Sequence, residues 1–205
     1  MTTRNPPIKN LVFDIGQVLV QLRPERLLNL FATHGFVPQD LPDIVARIGL
    51  HEYEAGRFDG EELLSRLIAL APQPPPRAAV RAAWLDLFEP IDAMLEFARR
   101  ARGPYRTFLL SNVGDLHWSE LDRAYGLHTL TDASLASYTT GYIKPQFEIY
   151  ALAEHRFALE PAATVFIDDR ADNVAAAQAR GWHALQHHDV AETFAALRAL
   201  GIQNL

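Results

Sequence analysis

The chain has 205 residues, 49% of them hydrophobic and 21% charged, which suits one globular unit or a core with a small inserted domain. Its net charge of −6 provides no basic surface for nucleic acid or an anionic membrane, and the lack of cysteine excludes disulfides, thiolate metal sites and cysteine nucleophiles. The N-terminal residues lack the apolar segment typical of a signal peptide and no apolar run is long enough to cross a bilayer, so we expect a cytoplasmic protein without membrane contact. We expect a monomer or a dimer.

The first predicted element is a buried strand, because Leu11–Phe13 form an apolar run. Asp14 follows at the C-terminal end of this strand, and Gly16 comes two residues later. A lone carboxylate there is costly unless it is compensated, and ligands bind at that end of open α/β sheets. By itself, however, the stretch is better explained by an aspartate that begins a turn.

Only helices are predicted between residues 23 and 88. The polar stretch His51–Gly60, which is punctuated by glycine, is predicted to be a loop or a short turn. Apolar residues recur at helical spacing in four segments: 23–34, 41–50, 61–70 and 77–88. This region is therefore expected to form an all-helical unit of about four helices.

From residue 90 onward, strands alternate with helices. The predicted strands are 105–110, 132–137, 164–167 and 182–186. The predicted helices are 91–101, 115–125, 145–157, 171–180 and 190–200. This alternation predicts βαβ units and a mostly parallel sheet.

Polar side chains follow three of the predicted strands: Asp14, Ser111–Asn112 and Asp168–Asp169. Because the ends of parallel strands meet at one crevice, we expect these groups to lie close together. Neighbouring carboxylates repel each other, and a hard cation such as Mg²⁺ removes the conflict. Lys144, before a predicted helix, and a hydroxyl beside such a site are typical of phosphate binding. A carboxylate can also be the nucleophile in phosphoryl transfer.

With these residues noted, the sequence resembles the haloacid dehalogenase superfamily. The four motifs of that superfamily occur in order: Phe13–Gly16, Leu110–Asn112, Lys144–Pro145 and Phe166–Asp169. The resemblance covers essentially the whole chain. Residues 141–150 and 168–173 look most like the branch that holds bacterial α-D-glucose-1-phosphate phosphatases and the phosphatase domain of soluble epoxide hydrolases. The implied fold is a Rossmann-like, three-layer α/β core of residues 1–20 and 88–205, with residues 21–87 as an inserted all-helical cap.

The resemblance also implies a metal site. Asp14 would be both the nucleophile and a Mg²⁺ ligand. The backbone carbonyl of Gly16 and the carboxylate of Asp169 would be further ligands, and Asp168 would bind a metal-bound water.

A phosphate site is implied beside the metal. Ser111 and the backbone of Asn112 would hold phosphate oxygens, and Lys144 would neutralise charge on the phosphate and the nucleophile. Gln17 could orient water. His51 could be a proton donor, although a solvated loop histidine is the better explanation.

One departure from the superfamily pattern lies at Gly16. Most phosphatases of the superfamily have a second aspartate at this position, which protonates the leaving group. Two interpretations remain open. The leaving group of the substrate could depart unaided, as the anomeric oxygen of a sugar phosphate can, and the glucose-1-phosphate branch also has glycine here. Alternatively, the protein could bind phosphate esters with little turnover.

We therefore expect a Mg²⁺-dependent phosphatase that hydrolyses a small phosphate monoester, a sugar phosphate, through an aspartyl-phosphate on Asp14. The alternative enzyme is a 2-haloacid dehalogenase, which shares the nucleophile, the Ser/Asn and the Lys. Dehalogenases need no metal, so the pair Asp168–Asp169 argues for the phosphatase. His117 is expected to be solvated, and His187 to lie in a surface turn.

Overall fold

The structure is a computed structural model that describes residues 6–36 and 41–203. Residues 1–5 and 204–205 of the predicted core and residues 37–40 of the predicted cap lie outside the described residues. None of the helices that the structure describes combines the length and the apolar character needed to cross a bilayer.

The centre of the fold is a parallel sheet of five strands, which confirms the predicted α/β class. The strands in the described residues are β1 (Asn10–Phe13), β2 (Val20–Leu22), β3 (Phe88–Pro90), β4 (Arg106–Ser111), β5 (Ala133–Ala136), β6 (Thr164–Asp168) and β7 (His183–Gln186). The order in the sheet is β5-β4-β1-β6-β7, and β2 and β3 form a separate antiparallel pair.

Strand β1 lies between β4 and β6, so the strand order reverses at β1. Phe13 is opposite Leu109 of β4 and Ile167 of β6 in the parallel register. The position where the order reverses is the ligand-binding crevice of such sheets. Asp14, the next residue of the chain, therefore enters this crevice.

Helices cover both faces of the sheet and fill the connection between β2 and β3. The described residues contain α1 (Glu25–Thr33), α2 (Leu41–Ile48), α3 (Leu50–Glu54), α4 (Gly60–Ala69), α5 (Arg77–Leu85), α6 (Asp92–Ala101), α7 (Asp115–Tyr125), α8 (Leu127–Leu130), α9 (Phe147–Phe157), α10 (Ala171–Ala179) and α11 (Val190–Ala199). The prediction of a loop or a short turn at residues 51–60 is corrected over residues 51–54, which belong to the short helix α3, whereas residues 55–58 form turns and bends. Tyr53 anchors α3 by burying its ring completely, and the positive φ of 68° at Gly56 comes just after the end of the helix.

The sheet is apolar on both faces, because successive residues of a buried strand point to opposite sides. On one face, Phe13 packs edge-on against Phe97 of α6, with ring centroids 5.7 Å apart. On the other face, Val12 and Phe166 share a cluster with Tyr150 of α9. The result is the three-layer arrangement that the sequence predicts.

Helices α1–α5 pack around a hydrophobic cluster of their own, and we call them the helical unit. Phe31, Leu63, Leu67 and Trp84 lie in this cluster and are each at most 5% exposed. The cluster explains why the amphipathic pattern of residues 23–88 gives helices that need no strand to pack against.

Candidate active site

Three carboxylates meet at the ends of β1 and β6, as the sequence predicts. Asp14 follows β1, Asp168 is the last residue of β6, and Asp169 follows it. One carboxylate oxygen of each lies within 4.8 Å of the others. Asp14 and Asp168 are buried, and Asp169 is half-buried.

Lys144 lies between two of these carboxylates. Its Nζ is 2.9 Å from Oδ1 of Asp14 and 2.6 Å from Oδ2 of Asp168, and its side chain is 1% exposed. Burial by itself lowers the pKa of Lys144, but the two carboxylates outweigh that effect and raise the pKa above its usual value. Lys144 is therefore a cation at neutral pH.

One cation does not balance three carboxylates. Burial raises the pKa of Asp14 to about 6, with Lys144 acting against the rise and Asp168 adding to it. Burial and Asp168 also raise the pKa of Asp169. Excess negative charge and an all-oxygen donor set fit a hard divalent cation such as Mg²⁺. Asp14, Asp168 and Asp169 could hold it.

The two polar residues after β4 have different partners. Ser111 is buried, and its hydroxyl is close enough to Asp14 to lower the pKa of that carboxyl, against the effect of burial. The Oδ1 of Asn112 accepts the N–H of Lys144 at 2.7 Å, and its Nδ2 donates to the carbonyl of Lys144 at 2.9 Å. Because both ends of the Asn112 amide are engaged with the backbone of Lys144, the side chain of Asn112 positions Lys144.

Asp168 is held in one orientation by several donors. The Nδ2 of Asn173 donates to both carboxylate oxygens, at 2.9 and 3.1 Å, and the backbone N–H of Arg170 donates to Oδ1 at 2.9 Å. The side chain of Arg170 instead pairs with exposed Asp172 at 2.7 Å.

The remaining predicted site residues are more exposed. Gly16 is partly buried, and no described heavy atom other than those of its chain neighbours lies within 4 Å of the position a Cβ would take. The side chains of Gln17 and His51 are exposed. Their suggested contacts with substrate stay predictions.

Glu54 interacts electrostatically with this group of residues, and sequence reasoning did not distinguish it from its polar neighbours. It ends α3 and is partly buried. Burial and the charge of Asp14 raise its pKa to about 7, while Lys144 and Arg170 act in the opposite direction. The signal in the sequence is weak, because burial of this carboxyl depends on how α3 packs against residues far along the chain.

The helical unit is attached to the core through Tyr53 and the start of α7. The hydroxyl of Tyr53 donates to Oδ1 of Asp115 at 2.7 Å and accepts the N–H of Leu116 at 3.0 Å. The other oxygen of Asp115 accepts the N–H of Gly60 at 3.3 Å. A Cβ at Gly114 would lie 2.1 Å from the Tyr53 ring, so only glycine permits this approach.

Two histidines are placed differently from the sequence prediction. His117 is 9% exposed, its ring stacks on Trp84 with centroids 4.4 Å apart, and its Nε2 donates to the Trp84 carbonyl at 2.7 Å. The prediction of a solvated His117 was wrong, because helix α5 covers it. His187 is also buried, with Nδ1 2.7 Å from the hydroxyl of Thr193.

Relatives of this chain include named phosphatases. The D-ribitol-5-phosphate phosphatase of Bacteroides thetaiotaomicron is 26% identical over 194 residues, which cover 90% of this chain and 94% of that protein. The sesquiterpene phosphatase astK of Aspergillus oryzae is 26% identical over 196 residues, which cover 94% of this chain and 96% of that protein.

Solved structures share the fold. A HAD family enzyme of Bacteroides thetaiotaomicron, solved in complex with magnesium and inorganic phosphate, superposes with a TM-score of 0.79 and 26% identity, covering 91% of this chain and 99% of that one. Residues 8–181 match the family described as haloacid dehalogenase-like hydrolases. The narrower glucose-1-phosphate branch stays a prediction. Because the match spans most of its length, the chain belongs to the haloacid dehalogenase-like hydrolases.

Proposed function

We propose that this hydrolase is a Mg²⁺-dependent phosphatase that cleaves a small phosphate monoester, a sugar phosphate or a closely related polyol phosphate, through an aspartyl-phosphate on Asp14. The observation that carries the proposal is the group of three carboxylates with oxygens within 4.8 Å of one another, beside a buried lysine. Halide displacement needs no such group, whereas a metal-assisted phosphoryl transfer does.

One of the named relatives supports the same class of substrate. It is named for a phosphorylated sugar alcohol, and another structure contains magnesium and inorganic phosphate. Small phosphorylated polyols offer hydroxyl groups that polar side chains of the helical unit could bind.

Four groups of this chain would hold the magnesium ion. Asp14, Asp169 and the backbone carbonyl of Gly16 would be direct ligands, and Asp168 would act through a bound water. When bound, the ion would neutralise negative charge on the phosphate and on the carboxylates.

The side chains of the site would have separate roles in the reaction. An Oδ atom of Asp14 attacks the phosphorus atom, and the bond from phosphorus to the ester oxygen breaks. Lys144 keeps Asp14 ionised and attracts the phosphate, while the Ser111 hydroxyl and the backbone N–H of Asn112 donate to phosphate oxygens. Water then hydrolyses the aspartyl-phosphate and regenerates Asp14.

Residues 21–87 are proposed to be a cap over this site. The contact of Tyr53 with Asp115 brings α3 against the start of α7, which follows the Ser111–Asn112 motif. A cap in this position would exclude bulk water and would contribute to substrate choice.

The test is a phosphate-release screen over sugar and polyol phosphates, run with Mg²⁺ and again with EDTA. We expect release from at least one ester that EDTA abolishes. Binding of esters without any release would favour a regulatory protein, and halide release from 2-chloropropionate in EDTA would favour a dehalogenase. Either result would refute the proposal.

A further inference from the structure

The proposed reaction needs a proton that the first motif cannot supply. When the ester bond breaks, its electron pair moves to the leaving oxygen, and an unactivated alkoxide is a poor leaving group. Glycine at position 16 has no side chain that could protonate this oxygen. For an ester of an ordinary, non-anomeric hydroxyl, a donor must therefore come from another element.

We propose that Glu54 of the helical unit is the general acid and general base of the phosphatase reaction, a role that rests on the function proposed above. It would protonate the leaving oxygen in the first step and activate water in the second.

The first argument is that the backbone of Glu54 is fixed to the strand ends of the core. The hydroxyl of Ser137, directly after β5, donates to the Glu54 carbonyl at 2.5 Å. The same hydroxyl accepts the N–H of Val113, two residues after β4, at 3.0 Å. Gly56 packs so closely on Tyr138 that a Cβ would lie 2.1 Å from the Tyr138 carbonyl oxygen. Glu54 is thus held where β4 and β5 end.

The second argument is the electrostatic environment of the Glu54 carboxyl. Asp14, Lys144 and Arg170 are close enough for their charges to influence its protonation, so the carboxyl lies within the field of the catalytic centre. It makes no hydrogen bond or ion pair with any other residue that the structure describes, which leaves it available for a substrate. A pKa near neutral agrees with a group that both gives and takes a proton.

The neighbouring candidates are less suitable. The hydroxyl of Tyr53 is already donated to Asp115. His51 and Gln17 have exposed side chains, and an amide is not an acid. Asp169 belongs to the group that could hold the metal.

Glu54 loses a proton in the first step and regains one in the second, so the enzyme returns to its starting state. In the first step, the Asp14 oxygen bonds to phosphorus, the phosphorus–ester oxygen bond breaks, and the Glu54 proton passes to the ester oxygen to form a neutral alcohol. In the second step, the Glu54 carboxylate takes a proton from water as the water oxygen attacks phosphorus. The phosphorus–Asp14 bond then breaks, phosphate leaves, and Glu54 is protonated again.

The test compares how far the variant loses kcat/KM on two esters that differ in their leaving group. Glu54→Gln keeps the size of the side chain but cannot give up a proton. We compare it with the wild type on two esters: the best sugar or polyol phosphate from the screen whose phosphate is on a non-anomeric hydroxyl, and p-nitrophenyl phosphate, whose leaving group departs without protonation. Glu25→Gln, which changes an exposed carboxyl on α1, is the control.

We expect kcat/KM of Glu54→Gln to fall about 100-fold or more on the sugar or polyol phosphate and less than about 5-fold on p-nitrophenyl phosphate. Turnover of the aryl ester also reports that the variant is folded. Equal losses on both esters, or no loss on either, would overturn the role of Glu54. If the wild type hydrolysed neither ester with Mg²⁺, the proposed function itself would fail, and the role of Glu54 with it.

Discussion

The Nζ of Lys144 lies 2.6 Å from Oδ2 of Asp168, and both side chains are at most 1% exposed. Such a pair is costly to break, because the remaining partner keeps its charge without compensation. Since Asp14 is also within 2.9 Å of the same Nζ, removal of the lysine leaves two buried carboxylates unpaired.

Lys144→Met is therefore expected to lower the free energy of unfolding by about 3 kcal/mol in EDTA. Millimolar Mg²⁺ should raise the Tm of this variant more than that of the wild type, because the unbalanced carboxylates attract a cation more strongly. Thermal unfolding with and without Mg²⁺ measures both effects. Lys9→Met is the matched control, since Lys9 pairs with Glu160 at the surface. A variant as stable as the wild type would contradict the importance of the pair.

Asp14→Asn is expected to reduce phosphate release to below about one thousandth of the wild-type rate. The substitution should not lower the free energy of unfolding in EDTA. Because burial raises the pKa of Asp14 to about 6, its ionised form disfavours the folded state at neutral pH, and a neutral amide of similar size removes that cost. Steady-state kinetics and thermal unfolding test the two statements. Asp92→Asn, at an exposed position of α6, is the control. Residual turnover near the wild-type rate would refute the assignment of the nucleophile.

Buried His117 makes stability depend on pH. A carbonyl can only accept, so the proton of neutral His117 is on Nε2, and a second proton must enter at Nδ1. Burial lowers the pKa to about 4, whereas an unfolded histidine titrates near 6.5. Between these values the unfolded chain binds the additional proton, so stability from this group is complete above pH 6.5 and is lost as the pH falls to 4.

The expected loss is about 3 kcal/mol over this range. Urea unfolding between pH 7 and pH 4 should show a weaker acid dependence for His117→Gln than for the wild type. The control is His188→Gln, because His188 is exposed. Identical pH dependence in all three proteins would contradict the buried, neutral state of His117.

Tyr53→Phe removes one hydroxyl that joins the helical unit to α7. The N–H of Leu116 and the carboxylate of Asp115 each lose a partner, and we expect a loss of about 1–2 kcal/mol. Tyr142→Phe changes an exposed tyrosine, 41% accessible, and should have no measurable effect. Denaturant unfolding compares the two variants. An unchanged free energy of unfolding for Tyr53→Phe would show that the contact adds little to stability.

The sequence predicts most of the sheet and the carboxylate group. Buried strands such as β6 appear as short apolar runs, and the residues that follow them are brought together by the parallel topology. The structure places Asp14, Lys144 and Asp168 within hydrogen-bonding distance, as these patterns imply. The predicted helix 115–125 agrees with the observed α7, which Gly114 and Gly126 cap.

Other features depend on contacts between distant segments and leave no local pattern. The stretch after Gly49 is polar enough to suggest a loop, yet the buried ring of Tyr53 makes it a helix. Histidine is a polar residue that suggests a surface position, but α5 covers His117 in the fold. Glu54 resembles its neighbours in sequence, and only the packing of α3 against Ser137 distinguishes it.

The antiparallel pairing of β2 with β3 has a further consequence. Gln21 is opposite Glu89, so the chain leaves and re-enters the α/β domain at adjacent points. An insertion with both ends at one place can be lengthened, shortened or exchanged for another without disturbing the order of the five central strands. Under the proposed function, such an exchange would change substrate preference and leave the phosphoryl-transfer chemistry of the core unchanged.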